Sequence, residues 1–281
     1  MSIQDILRTD GIIRIDSKEN LSSALSKLST SHDAAFLFGD DGKYLGVVNP
    51  YYCLIKSSYP GNAKAEHCVH PAPKVYINYS LTKVADLFMR SKVHYLPVFD
   101  EEDRFLGIVS ARLLLSKLQA MPIFKITIKE FLKQKKQKLV IIDENESINT
   151  AINIFKSTKF SKLIVINGGK KLKGILSYYD LIDYLISPKT SEKISLYHHK
   201  VKNFAKTFVL TLTPNNLLSD AIDLILEKKI GSVVIVDLSR RPIGIITTKD
   251  LLRFFIHKEQ KLFSNRQIFG GFFNKTVHHF L

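Results

Sequence analysis

The chain has 281 residues, 45% of them apolar and 24% charged; that length allows about two ordinary domains, and the balance excludes a disordered or fibrous protein. Two cysteines, Cys53 and Cys68, exclude a disulfide framework, and apolar runs of strand length exclude a membrane span, so with no readable leader the expected location is cytoplasmic. A net charge of +15 draws anions of any kind, including nucleotides, nucleic acid and acidic lipid.

Read in chain order, one pattern recurs. An apolar run from Ala34 to Phe38 meets the polar turn Asp40-Asp41-Gly42 and then Gly46-Val47-Val48-Asn49. The run Leu96 to Phe99 is followed by the turn Asp100 to Asp103 and by Gly107-Ile108-Val109-Ser110. A third copy starts with a short strand at Leu139 to Ile142 and a helical pattern at Ile148, Ala151, Ile152 and Phe155. It continues through Leu163 to Ile166, Asn167-Gly168-Gly169 and Gly174-Ile175-Leu176-Ser177. The fourth repeats this order with Val209 to Leu212, Leu217-Leu218-Ala221-Ile222-Ile225-Leu226, Val233 to Val236, Asp237 to Arg241 and Gly244-Ile245-Ile246-Thr247. Short apolar runs flanked by turn residues predict strands, and apolar residues three and four apart predict helices. The unit is therefore strand, helix, strand, strand, helix. Its spacing of roughly 60 to 70 residues is too long for a solenoid and leaves each unit too small to stand alone, so neighbours are expected to pair.

Breaks in periodicity fall at Tyr59 to Pro73, between Leu118 and Leu139 around Lys133-Gln134-Lys135-Lys136-Gln137-Lys138, and from Ser187 to Lys202. They predict one pair of repeats over residues 1–128, a second over 129–257, and a basic and aromatic tail over 258–281.

The run glycine, two apolar residues, Ser or Thr, two variable residues and Asp is complete at Gly174-Ile175-Leu176-Ser177-Tyr178-Tyr179-Asp180 and at Gly244-Ile245-Ile246-Thr247-Thr248-Lys249-Asp250. Over roughly residues 5–257 the chain resembles the cystathionine-β-synthase (CBS) domain family, whose repeats pair into Bateman modules. The resemblance implies an α/β fold of tandem CBS-type βαββα repeats forming two such modules, and a regulatory, non-catalytic role. In the first two repeats Tyr52 and Leu113 replace the motif aspartate, so ligand binding is expected of the second pair.

A carboxylate accepts hydrogen bonds from both hydroxyls of a ribose, which suits Asp180 and Asp250. Ser177 and Thr247, three residues earlier, lie on the same side of a first helical turn, where they either cap the helix or reach a ribose or phosphate oxygen. The same spacing describes an ordinary helix start, with the carboxylate closing a capping box. Both readings stand on the residues alone. Adenine needs apolar walls, for which Ile230 and Val233 are the candidates, and Lys249, inside the motif, is the first candidate for phosphate. The resemblance adds Thr211 as a polar contact. It implies AMP, ADP, ATP or S-adenosylmethionine as ligand, an unidentified protein partner and a possible homodimer.

A second reading is an RNA-binding or ribosome-associated factor in which Lys133, Lys135, Lys136, Arg266 and Lys275 contact phosphates and the repeats are scaffold. Cys53 and the segment Glu66-His67-Cys68-Val69-His70 match no zinc spacing, so no metal is expected. With no phosphate loop, nucleophile elbow or paired-carboxylate constellation, no catalysis is expected either.

Overall fold

Each apolar run followed by a polar turn and a second run closes an antiparallel hairpin, and each short leading strand joins that hairpin in parallel, giving four three-stranded sheets of one topology. A computed structural model describes residues 2–28, 34–135, 139–158, 160–186 and 199–261. The sheets comprise β1 (Arg14–Asp16), β2 (Ala35–Phe38) and β3 (Tyr44–Val48); β4 (Val75–Tyr76), β5 (Tyr95–Phe99) and β6 (Phe105–Ser110); β7 (Ile141–Asp143), β8 (Lys162–Ile166) and β9 (Leu172–Ser177); and β10 (Thr211–Leu212), β11 (Ser232–Val236) and β12 (Pro242–Thr247). The leading strands β7 and β10 are shorter than their apolar runs, beginning at Ile141 and Thr211.

Parallel neighbours need a crossover, supplied by the helices Leu21–Ser26, Leu81–Arg90, Ile148–Thr158 and Leu218–Glu227. Their buried residues follow the helical period, as with Ile148, Ala151, Ile152 and Phe155. The helix after each third strand is where the repeats diverge. The second repeat has the α-helix Ala111–Leu118, started by Ser110, whose hydroxyl accepts from the Leu113 amide. The fourth has a helix over residues 248–261, and the third winds tightly at Tyr178–Leu181 before the short helix Ile182–Ile186. In the first, Asn49-Pro50 leads into the wide π-helical segment Tyr51–Lys56.

The signature glycines are required by a close approach. The segments ahead of repeats one, two and four cross the third strands of their paired repeats: Arg8 bridges to Ile108, His70 to Val47 and Lys206 to Ile175. A Cβ on Gly46 would lie 2.7 Å from the His70 carbonyl, and one on Gly107 would lie 2.3 Å from that of Arg8, so only hydrogen fits there.

The repeats close into a ring. Repeats three and four meet through their sheets, where Ile164, Ile166 and Leu172 pack on Val234 and Val236. Repeats one and two meet through aromatic rings, with centroids 5.0 Å apart for Phe38–Phe105 and 5.6 Å for Tyr44–Phe99. Across these pairs, helices of repeat two share a core with those of repeat four, and repeat one packs on repeat three through Leu54 and Ile182 on one side and Ile55 and Leu181 on the other. The helix Ile128–Gln134 spans the division expected at 128/129 and docks on repeat four, the Ile128 amide donating to the Asn216 carbonyl at 2.8 Å.

Candidate functional site

The ring encloses a cavity of about 820 Å³ whose wall includes Leu28 of repeat one, Arg112 of repeat two, Asp180 of repeat three and Asp250 of repeat four. That volume lies in the range of small-molecule sites. Its two motif aspartates are placed by the strand-to-helix junctions of β9 and β12, where a helix start turns its first side chains toward the ring centre.

At the fourth repeat the cap is complete. The Asp250 amide donates to Thr247 Oγ1 at 3.1 Å, and Asp250 Oδ2 accepts from the Thr247 amide at 2.9 Å and from its hydroxyl at 2.7 Å. The same Oδ2 accepts from Lys135 Nζ at 2.8 Å, with the two side chains 11% and 8% exposed. All these contacts fall on Oδ2, so among the described residues Oδ1 is left to accept from a ligand. At the third repeat, Asp180 Oδ2 accepts from the Ser177 amide at 2.7 Å, while Oδ1 pairs with Lys206 Nζ at 3.1 Å. Lys206 is 74% exposed, so this pair is weakly held compared with Lys135–Asp250.

Further cations close the wall. Lys162, first residue of β8, is part-buried and donates from Nζ to Ser232 Oγ at 3.0 Å. Burial, opposed by neighbouring Asp180 and reinforced by Lys206 and Arg112, pushes its amine down to about 8. Lys249 Nζ donates to the Ser91 carbonyl of repeat two at 2.6 Å, tying the two repeats together across the cavity. In all, the wall carries eight lysines and arginines against three aspartates.

Of the ligand residues expected from sequence, Asp180, Thr247, Lys249 and Asp250 come together on this wall. Ser177 lies just behind it as a helix cap, its hydroxyl accepting from the Tyr179 amide at 3.2 Å. Val233 is fully buried in the core shared by repeats two and four, Ile230 packs against that core, and Thr211 sits on β10; none of the three lines the cavity. Alternation explains Val233: on β11 its neighbours Ser232 and Val234 take the other face. Lys135, expected among nucleic-acid contacts, is instead enclosed in the ion pair with Asp250, because the helix Ile128–Gln134 ends against β12. Lys133 is exposed, whereas Lys136, Arg266 and Lys275 lie outside the described residues.

Lys162, Arg112 and Lys206 escaped the sequence reading. One signal pointed to the first: by strand register Lys162 opposes Ser177 as Ser232 opposes Thr247, so superposing the repeats puts Lys162 where its counterpart holds Ser232. In the first repeat the motif position is closed, since Tyr52 stacks on His70 with centroids 3.4 Å apart. Among the described residues no group of three metal-ligating side chains converges, and no helix is long and apolar enough to cross a membrane.

A family model described as CBS domain matches residues 65–120, 128–187 and 201–257. The γ-3 subunit of 5′-AMP-activated protein kinase of Sus scrofa is 25% identical over 206 residues, covering 67% of this chain and 39% of that protein. The chain thus spans about two fifths of that subunit's length. A Thermofilum pendens protein named as an uncharacterized 33.4 kDa protein in a ribosomal RNA operon is 25% identical over 215 residues, 73% of this chain and 70% of its own. The crystal structure of a Methanocaldococcus jannaschii protein, proposed as an archaeal homologue of g-AMPK, shares the fold with a TM-score of 0.77 at 17% identity, covering 91% of this chain and 100% of that one. The first repeat, ahead of the matched segments, builds the same three-stranded sheet as the others. With the family model matching more than half of its length, the chain belongs to the CBS domain family.

Proposed function

We propose that this chain is a non-catalytic regulatory protein that senses an adenine nucleotide in the central cavity, at the part of its wall where repeats three and four place their motif aspartates, and acts through a protein partner. One observation carries the reading: two motif carboxylates face a single nucleotide-sized cavity whose wall is strongly cationic. The aspartates accept from ribose hydroxyls, and the lysines and arginines meet phosphates, each contact being charge-assisted. S-adenosylmethionine brings a sulfonium and an amine into the same field and is disfavoured there, so AMP, ADP or ATP is the ligand of choice.

The cavity carboxylates are engaged in helix caps and ion pairs, an arrangement suited to holding a ligand and coupling it to helix starts. A relative named as a subunit of a kinase activated by 5′-AMP supports both the nucleotide and an output that resides in a partner. The ring closes within one chain, so the proposal needs no second copy.

Calorimetric titration with AMP, ATP and S-adenosylmethionine at two salt concentrations, beside an RNA control, tests it. A nucleotide is expected to bind, and each of Asp180→Ala and Asp250→Ala to cost at least about 1 kcal/mol of affinity. Salt-steep RNA binding without nucleotide binding would move the function to the basic surface.

A further inference from the structure

Three of the four repeats treat the residue after the signature glycine alike. The amide and carbonyl of Ile108, Val47 and Ile175 pair with those of Arg8, His70 and Lys206, at 2.8 to 3.0 Å. At the fourth repeat the Ile245 carbonyl accepts, among the described residues, from a side chain: Lys135 Nζ, at 2.7 Å. The same incoming segment covers Gly244, where Leu132 methyl carbons lie 3.0 Å from the place a Cβ would take. That same ammonium then reaches Asp250, and with its side chain only 11% exposed it has a backbone carbonyl and a carboxylate as its partners.

A single hydroxyl can use the open Oδ1, but a ribose whose two vicinal hydroxyls engage both oxygens of Asp250 must share Oδ2 with this ammonium or displace it. An ammonium enclosed in a low-dielectric wall and stripped of its counter-charge is strongly disfavoured, so the displaced Lys135 needs a new anion within the reach of its stem. We infer that Lys135 is a specificity-determining residue: it makes the fourth repeat's half of the cavity accept ligands that couple vicinal hydroxyls to an anionic group, exchanging the Asp250 carboxylate for the ligand's phosphate. The inference rests on the proposed nucleotide reading and deepens it, because it makes a phosphorylated nucleoside, rather than a nucleoside, the ligand class. The third repeat's half lacks the device, its Lys206 being 74% exposed and already solvated.

The test compares adenosine with AMP by calorimetry on the full chain. Lys135→Met keeps the stem and removes the charge; it is expected to strengthen adenosine binding and weaken AMP binding, lowering the AMP-to-adenosine affinity ratio by about tenfold or more, the scale of one charge-assisted hydrogen bond. Lys135→Arg restores most of the ratio, and Lys206→Met changes it far less. A Lys135→Met ratio equal to wild type, with Asp250→Asn still losing AMP, overturns the assignment to Lys135 and leaves the nucleotide reading intact. AMP affinity indifferent to Asp250→Asn, or no binding of either compound by the wild-type chain, overturns both.

Discussion

The two pairs of repeats share one topology and put different residues at the same places. By strand register, Phe38 and Phe99 occupy the positions of Ile166 and Val236, while Tyr44 and Phe105 occupy those of Leu172 and Pro242. The N-terminal sheets therefore interlock through rings, with Arg14 laid over Phe38 at 4.7 Å and over Phe105 at 5.2 Å. The C-terminal sheets meet through smaller aliphatic side chains. The motif position follows the same division, being Tyr52 and Leu113 in one pair and Asp180 and Asp250 in the other. The N-terminal sheets meet through packed rings, and the charged side chains that repeat two adds to the cavity wall are cations such as Arg112; the C-terminal pair supplies its carboxylates, where burying polar groups brings desolvation costs that a ligand can offset.

The largest expected effect lies in the supporting pair. Phe99 is 2% exposed and touches rings of both sheets, so Phe99→Ala should cost about 3–5 kcal/mol of stability by denaturant unfolding. Val236→Ala, which removes fewer buried atoms from the matching place, should cost less. Equal losses would show that the aromatic interface is not what distinguishes the pairs.

A smaller effect sharpens the recognition side. With its amine at about 8, Lys162 is partly neutral above that pH, and an incoming phosphate favours the charged form. Nucleotide binding should then take up protons between about pH 8 and 10, read as a dependence of the calorimetric heat on buffer ionisation, and should take up none near pH 6.5. Lys162→Met removes the uptake. The sign of its stability effect follows: the unfolded chain binds this proton more tightly, so the variant gains most over wild type near neutral pH, and the gain shrinks as pH rises from 8 toward 10.5. Uptake that persists in the variant would separate Lys162 from the ligand.

The smallest effect concerns the closed site of repeat one. Burial, helped by Lys56, holds His70 below the usual histidine range, stacked on Tyr52. The unfolded chain therefore binds this proton more readily, and stability should fall as pH drops from about 6.5 toward the folded value. His70→Phe should flatten that part of the melting profile without altering nucleotide affinity; altered affinity would mean that the closed site still communicates with the open one.

The repeats were legible because each hairpin must place a glycine, two apolar residues and a helix start in that order, and at three of the four the structure gives a reason: another backbone passes over Gly46, Gly107 and Gly174. The motif aspartates were legible for the same reason, as capping residues fixed to a strand end. Arg112 and Lys206 were not, since only ring closure carries residues from different repeats to one cavity, and nothing local records it. Lys135 was misread because it lies in a basic run, and the end of the helix Ile128–Gln134 against β12, which separates it from Lys133, is a tertiary fact. The π-helical turn at Tyr51–Lys56 was signalled only by Asn49-Pro50, where the other repeats place serine or threonine.

The crossing of these leading segments onto their paired repeats has a consequence for how such a chain can be cut. His70 belongs in sequence to repeat two and in hydrogen bonding to repeat one, while Arg8 does the reverse. A boundary drawn between them strips a strap from each partner and exposes two sheet edges at once, an invitation to aggregation. A fragment that keeps both straps in place must therefore contain the couple, His70 with Val47 and Arg8 with Ile108.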